Sequence, residues 1–133
     1  MRITQALYDE MVAHARVEAP NECCGMVGSR GDDVVEVYRA ENIHHTPYRY
    51  EMDGREQLQI YNAIEDAGLD LGAIYHSHTR SEPYPSQTDV NLAKNWPDPL
   101  YIIIGLASGP EAKVRAFTIR DGEVHEAPLS IVP

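Results

Sequence analysis

The sequence has few cysteines, and the two that it contains, Cys23 and Cys24, are adjacent. Neighbouring Cα atoms lie about 3.8 Å apart, which is closer than the roughly 4.4–6.8 Å that a disulfide usually spans. The pair also lacks the C-x-x-C spacing of zinc ribbons and redox motifs. We therefore expect two reduced, buried thiols in a reducing compartment, and hence a soluble, cytoplasmic protein.

Basic residues and long apolar runs are also scarce. There are 11 Lys and Arg residues against 21 Asp and Glu residues, which gives a formal net charge of −10. Such a surface repels phosphate backbones, and no basic cluster interrupts it, so nucleic acid is not expected as a partner. No run approaches the roughly 18 apolar residues of a membrane span, and the N-terminal stretch is amphipathic, so no membrane association is expected.

Length and composition are typical of one domain over residues 1–133. The chain is 43% hydrophobic, which is enough to bury a single core without disulfide bonds. It shows no linker, repeat or low-complexity segment. The acidic surface could serve solubility in a salty cytoplasm or contact with a basic protein, and the sequence leaves both open.

Apolar residues at helical spacing predict three helices. The first covers 4–17, and the second runs from Gly54 to about Gly68, which is a plausible C-cap. A third, short helix covers 86–94.

Strand-like segments interleave with these helices. The predicted strands cover 23–29, 34–40, 48–52, 71–78, 101–107, 112–120 and 123–129. Segment 101–107 is so uniformly apolar that we expect a central strand covered on both faces. Because the order shows no βαβ regularity, the predicted fold is mixed α/β (α+β), with a curved mixed sheet flanked by helices.

Two histidines end the predicted strand 71–78. Side chains alternate along a strand, so His76 and His78 should point to the same side and could bind one metal ion. Asp89, near the start of the third helix, could fold back as a third ligand. Two histidines and a carboxylate form a ligand set of catalytic zinc, which leaves one tetrahedral position for water. Zn²⁺ is therefore the expected cofactor.

Two further residues complete a hydrolytic site in this hypothesis. Glu22, beside the first predicted strand, is the candidate general base that takes a proton from the water and returns it to the leaving amine. Ser86 could donate a hydrogen bond to the developing oxyanion.

Each of these residues has an ordinary structural interpretation when it is taken alone. Ser86-x-x-Asp89 is also a capping box, the histidines could be a hydrogen-bonded pair, and Glu22 could be a solvated loop carboxylate. The complete spacing H-x-H-x₇-S-x₂-D favours the metal site, because it should arise by chance in roughly one such sequence in a thousand. Capping and catalysis are compatible roles for Ser86 and Asp89.

The motif resembles that of the JAMM, or MPN+, zinc metallopeptidases of the Mov34/MPN/PAD-1 family. The resemblance lies in His76–Asp89, with the sequence HSHTRSEPYPSQTD, and in residues 21–25, NECCG, and it extends along the whole chain. No ligand position departs from the family pattern. The resemblance implies a mixed α/β fold related to that of cytidine deaminases.

The resemblance also implies hydrolysis of a peptide or isopeptide bond that follows the C-terminal Gly-Gly of a ubiquitin-like or sulfur-carrier protein. Within the family, the resemblance is strongest to bacterial peptidases of the CysO-cysteine type, which release cysteine from the carrier in cysteine biosynthesis. Residues 48–53 are a candidate wall of the channel for the Gly-Gly tail, although an ordinary half-buried strand is equally compatible. His44 and His45 could add polar groups near the site or be ordinary loop residues.

Two other functions fit parts of the pattern. A metal-free MPN scaffold would assemble partners without chemistry, but such proteins usually lack a ligand, and every ligand position is filled here. A zinc deaminase would share the fold, but its signature is H-x-E followed by P-C-x-x-C. Here His78 takes the position of that Glu, and there is no C-x-x-C.

Overall fold

The computed structural model describes all of residues 1–133 as one eight-stranded mixed sheet flanked by three helices. The mixed α/β fold predicted from the sequence is therefore confirmed. The strands are β1 (Arg2–Thr4), β2 (Cys24–Arg30), β3 (Asp33–Ala40), β4 (Asp70–His78), β5 (Leu100–Gly105), β6 (Lys113–Arg120), β7 (Glu123–Ala127) and β8 (Ser130–Val132). The helices are α1 (Gln5–Glu18), α2 (Gly54–Asp66) and α3 (Gln87–Leu92), and α3 continues into a 3₁₀ turn, Ala93–Asn95.

The strand order across the sheet is β7-β6-β5-β4-β2-β3-β1-β8. β4 and β5 run parallel, and β1 runs parallel to both of its neighbours, β3 and β8. The other neighbouring pairs are antiparallel. The ends of β4 and β5 therefore meet the beginning of β2 at one edge of the sheet.

Local capping explains where the helices begin and end. The side-chain oxygen of Thr4 accepts a hydrogen bond from the backbone N–H of Leu7 at the start of α1. The Asp53 carboxylate accepts two backbone N–H groups at the start of α2. Gly68 follows α2 with φ of 74°, a conformation that glycine adopts without steric cost. No helix is both long and apolar enough to cross a membrane.

Strand β5 is covered on both faces, as its apolar sequence predicts. Ile102 and Ile104 lie in the core cluster that packs against α1. Tyr101 and Ile103 lie in the second cluster, on the side of α2 and α3. Because side chains alternate along a strand, one short segment supplies both cores.

The predicted strand 48–52 is wrong, because this part of the chain is an irregular loop. The Asn42 side chain supplies the hydrogen bonds that a strand partner would otherwise provide. Its amide nitrogen donates to the carbonyls of Glu22 and Arg49, and its oxygen accepts the N–H groups of His44 and Glu51. The loop is therefore ordered by one buried asparagine.

Two strands at the ends of the chain were not predicted. Arg2 of β1 lies opposite Ser130 of β8, and Thr4 lies opposite Val132. Three-residue strands are too short to show alternation, so their pairing depends on contacts between distant parts of the chain.

One buried histidine outside the predicted ligand set, His14, gives a pH-dependent contribution to stability. Nδ1 of His14, on α1, lies 2.7 Å from the hydroxyl oxygen of Tyr75 on β4. Burial, and to a smaller extent the positive charge of Arg39, lowers the pKa of His14 from 6.5 to about 4. Because the unfolded chain binds a proton more readily, this contribution is present above pH 6.5 and is lost as the pH falls towards 4.

We expect His14→Gln to remove this pH dependence. Between about pH 7.5 and about pH 4.5, the stability advantage of the wild type over the variant should shrink by about 2 kcal/mol. Urea unfolding of both proteins at several pH values measures the difference. Parallel pH profiles of the two proteins would contradict the assignment.

Candidate active site

The predicted histidine pair lies at the end of β4. His76 pairs with Cys24 of β2, and His78 pairs with Gly105 of β5. The two imidazoles point to the same face of the sheet, as the strand alternation predicts. Their exposed fractions are only 0% and 4%, so neighbouring protein groups rather than bulk water determine their charge.

Three potential metal-binding atoms lie together at this strand end. Nδ1 of His78 lies 2.8 Å from the carbonyl oxygen of Glu82. A carbonyl only accepts, so Nδ1 carries the proton, and the Nε2 of neutral His78 presents a lone pair. This Nε2 lies 3.1 Å from Nε2 of His76 and 3.0 Å from Oδ2 of Asp89. A proton on Nε2 of His76, or a metal ion among the three atoms, would account for this close approach.

Asp89 reaches the histidines because α3 begins there. The hydroxyl oxygen of Ser86 accepts the backbone N–H of Asp89, and Oδ2 of Asp89 accepts the backbone N–H of Ser86. The capping box considered from the sequence is therefore present, and the same Oδ2 also lies 3.0 Å from Nε2 of His76. The loop before α3 packs on Gly105, where a side chain would lie within 2.8 Å of the Pro83 ring.

Glu22 lies on the other side of the histidine pair, just before β2. Its carboxylate is within 4.8 Å of the ring nitrogens of His76 and His78. Its backbone N–H donates to the carbonyl of Thr46, and its carbonyl accepts from Asn42. Glu22 is therefore a buried residue rather than a solvated loop carboxylate, and its Oε1 has no hydrogen-bond partner.

The charges in the site follow from burial and from these contacts. Burial raises the pKa of Glu22 to about 8, with a further increase from Asp89 and a partial decrease from His78. Burial alone would also raise the pKa of Asp89, but His76, His78 and the Ser86 backbone lower it far below its ordinary value. Burial lowers the pKa of His76. Burial also acts to lower the pKa of His78, but Asp89, the Glu82 carbonyl and Glu22 together outweigh it and raise that pKa.

The irregular loop also contributes to the site through Tyr50. Its ring stacks on the imidazole of His76, with a distance of 4.3 Å between ring centres and an angle of 21° between planes. Nδ1 of His76 has no hydrogen-bond partner, so stacking holds this ring in place of the usual hydrogen bond. The sequence marked residues 48–53 only as a possible channel wall, and nothing in the local pattern predicted this contact.

His44 and His45 do not join the converging side chains. Nε2 of His44 lies 2.9 Å from a carboxylate oxygen of Glu51 within the same loop. His45 has φ of 45° and lines a separate polar pocket, of which Glu22 forms one wall. His44 thus makes a contact within its own loop, whereas His45 adds a polar group to the pocket that Glu22 lines.

The two cysteines are free and buried, as expected from the sequence. Burial raises the pKa of Cys23 to about 12 and raises that of Cys24 further. Both thiols are therefore protonated near neutral pH, and neither is an activated nucleophile.

The donor atoms fit a small tetrahedral cation. The edges of the triangle formed by His76, His78 and Asp89 are 3.1, 3.0 and 3.0 Å long. Ligands held about 2.0–2.1 Å from tetrahedral zinc would lie roughly 3.3 Å apart. The unpartnered oxygen of Glu22 adds a second carboxylate beside the same space. His76 and His78, with either carboxylate, could hold a divalent metal ion.

Known proteins share this chain's sequence and fold. A CysO-cysteine peptidase of Mycobacterium tuberculosis is 41% identical over 128 residues, which are 95% of this chain and 87% of that protein. A desampylase of Haloferax volcanii is 33% identical over 130 residues, 92% of this chain and 90% of the relative. The solution structure of protein DSY2949 from Desulfitobacterium hafniense has a TM-score of 0.85 and 35% identity, and the likeness covers 98% of this chain and 92% of that one.

Residues 4–120 match the family described as prokaryotic homologs of the JAB domain. This match confirms the family that the motif between His76 and Asp89 predicts. The chain therefore belongs to the JAB/MPN family, in its prokaryotic branch.

Proposed function

We propose that this protein is a zinc-dependent peptidase that cleaves the peptide or isopeptide bond after the C-terminal Gly-Gly of a ubiquitin-like or sulfur-carrier protein. His76, His78 and Asp89 hold the metal, Glu22 is the general base and Ser86 stabilises the oxyanion. Release of a C-terminal cysteine, as a step of cysteine biosynthesis in the cytoplasm, is the more specific form of the proposal. The mycobacterial relative, a CysO-cysteine peptidase at 41% identity, supports that form.

The observation that carries the proposal is the convergence of three potential metal-binding atoms at 3.0–3.1 Å from one another, next to a fourth, unpartnered oxygen of Glu22. Two histidines and a carboxylate form a donor set of catalytic zinc sites in hydrolases. A bound zinc ion supplies Lewis-acid polarisation of the scissile carbonyl and makes water more acidic near neutral pH.

Glu22 is suited to move the proton in this reaction. Its buried carboxyl has a pKa of about 8, so it can accept and release a proton near neutral pH. Oε1 makes no hydrogen bond that would have to break first. Glu22 takes the proton from the attacking water and delivers it to the nitrogen of the amine that leaves.

Residues 48–53 border the histidine pair, because the Tyr50 ring stacks on the imidazole of His76. This contact supports a Gly-Gly tail that runs along residues 48–53. Glycine has no side chain and therefore allows the closest approach of a tail to this loop.

Mass spectrometry of a small sulfur-carrier protein extended by one cysteine after its C-terminal Gly-Gly tests the proposal. The zinc-loaded wild type should remove one cysteine residue, and the same protein with Glu22→Gln should not. The proposal would be contradicted if the zinc-loaded protein cleaved neither this carrier tail nor a Gly-Gly isopeptide conjugate.

Ser86→Ala separates the catalytic role of this serine from its capping role. We expect kcat to fall about 10²- to 10³-fold, because a donor to the oxyanion is lost. Loss of the cap alone should lower the free energy of unfolding by only about 1 kcal/mol. Ser86→Asn should preserve the cap, so it is the matched control for the loss of capping in Ser86→Ala. A kcat change below about twofold would leave Ser86 with its capping role only.

A further inference from the structure

We propose that Arg80 and Arg16 form a subsite for the free α-carboxylate of the residue that leaves. The proposal rests on the proposed function and makes it more specific. It assigns the protein to linear substrates, in which a single amino acid follows the Gly-Gly tail, rather than to isopeptide conjugates.

The two arginines line one cleft of about 540 Å³ at the end of the sheet where the histidine pair lies. The cleft is formed by the end of α1 and by the segment that follows β4. Its lining residues are Arg16, Ala19, Pro20, Thr79, Arg80 and Leu106. None of the 21 acidic residues of the chain contributes to the lining, although the formal net charge is −10. The cleft is therefore a local positive surface on an acidic protein.

Both guanidinium groups lack a carboxylate partner. Arg2 and Arg115, by contrast, form ion pairs with Asp33 and Glu126 on the surface. Arg16 donates one hydrogen bond, to the carbonyl of Pro110 at 2.8 Å. A guanidinium has five N–H donors in a planar fork that matches the two oxygens of a carboxylate. Most donors of these two arginines therefore remain free to bind an anion.

Arg80 is held close to the histidine pair from two sides. It follows His78 by two residues, and its guanidinium lies against the Tyr48 ring, with Nη1 at 3.4 Å from the hydroxyl oxygen. Tyr48 precedes Tyr50 by two residues, and Tyr50 stacks on His76. Segment 78–80 contains one histidine of the pair, and segment 48–50 contacts the other. Both segments that position Arg80 therefore adjoin the pair.

A hydrogen bond connects the cleft to the segment that contains Glu22, the proposed general base. The hydroxyl of Thr79 donates to the carbonyl of Pro20 at 2.7 Å. Thr79 directly follows His78, and Pro20 precedes Glu22 by two residues. The cleft therefore begins where the segments of the metal ligand and of the base cross.

The chemistry of the leaving group requires an anion site at this position. In hydrolysis the C–N bond breaks, the water oxygen bonds to the glycine carbonyl carbon, and the freed nitrogen receives the water's proton. When one amino acid leaves, its α-carboxylate is only one Cα removed from that nitrogen. In an isopeptide conjugate the leaving nitrogen is the end of a lysine side chain, and no carboxylate lies near it. Two guanidinium groups in a cleft that begins next to His78 therefore favour the linear substrate.

The test uses one sulfur-carrier protein with a cysteine after its C-terminal Gly-Gly, prepared as the free acid and as the C-terminal amide. For the zinc-loaded wild type, kcat/KM should be about 10- to 100-fold higher for the acid than for the amide, as expected for a charged hydrogen bond. Arg80→Gln should bring this acid-to-amide ratio close to one, and Arg16→Gln should lower it. Arg80→Lys should retain part of the preference, because it retains the charge but not the fork.

Arg30→Gln, at the opposite end of β2, is the matched control and should keep the wild-type ratio. A wild-type ratio near one would overturn the subsite while leaving the peptidase proposal intact. An equal loss on acid and amide in Arg80→Gln would also overturn it, and would indicate contact with the folded part of the carrier. Cleavage of neither substrate would count against the proposed function itself.

Discussion

Glu22→Gln should abolish turnover by about 10²- to 10⁴-fold while zinc content stays that of the wild type. The substitution keeps the size of the side chain but replaces one carboxylate oxygen with an amide NH2 group, so the side chain can no longer accept a proton. The three atoms at 3.0–3.1 Å from one another belong to His76, His78 and Asp89, and they are unchanged in the variant. Single-turnover cleavage of the cysteine-extended carrier, together with elemental analysis of the same sample, measures both quantities.

Glu18→Gln is the matched control for this experiment. Glu18 ends α1 and lines the same polar pocket as Glu22, but it is exposed. Its substitution should leave cleavage of the carrier unchanged. If Glu22→Gln retained activity within about tenfold, Glu22 would not be the base. If it lost zinc together with activity, Glu22 would be a ligand rather than the group that moves the proton.

His76→Ala and Asp89→Asn should both lower zinc affinity by at least about 100-fold, because each removes a donor from the three that converge. Asp89→Asn is the more informative of these two variants. Its side-chain oxygen can still accept the backbone N–H of Ser86, so the start of α3 should be preserved while the negative charge is lost. Competition with a chromophoric zinc chelator measures the affinity without any substrate.

Two exposed residues provide controls of the same type. His125 lies on β7 with a side chain that is 72% exposed, and Asp70 begins β4 at the end far from His78. His125→Ala and Asp70→Asn should keep wild-type zinc affinity. Wild-type affinity in both His76→Ala and Asp89→Asn, with circular dichroism showing folded protein, would mean that the ligand set is wrong.

Zinc should also stabilise the folded protein. A cation bound to the native site and not to the unfolded chain raises the free energy of unfolding by about 1.4 kcal/mol for each tenfold excess over its dissociation constant. Removal of zinc by a chelator should therefore lower the Tm of the wild type. Asp89→Asn should show a much smaller change, which distinguishes loss of the site from loss of the fold.

Elements whose signals are local could be predicted from the amino-acid sequence. α1, α2 and β5 follow from apolar spacing and capping residues, because backbone conformation and side-chain direction repeat over a few residues. The alternation of side chains along a strand likewise predicted that His76 and His78 lie on one face of β4. The sequence also predicted that Ser86 and Asp89 begin a helix, and the capping box and the contact with the histidines are both present.

The distant groups that meet at the end of β4, by contrast, are brought together by the packing of the whole chain. Asn42 ordered the loop that the alternation of residues 48–52 had marked as a strand, since four side-chain hydrogen bonds replaced a ladder. The stacking of Tyr50 on His76 and the burial of Glu22 follow from that loop. The cleft of Arg16 and Arg80 likewise joins α1 to the end of β4. Such contacts depend on how the whole chain packs, and no local pattern encodes them.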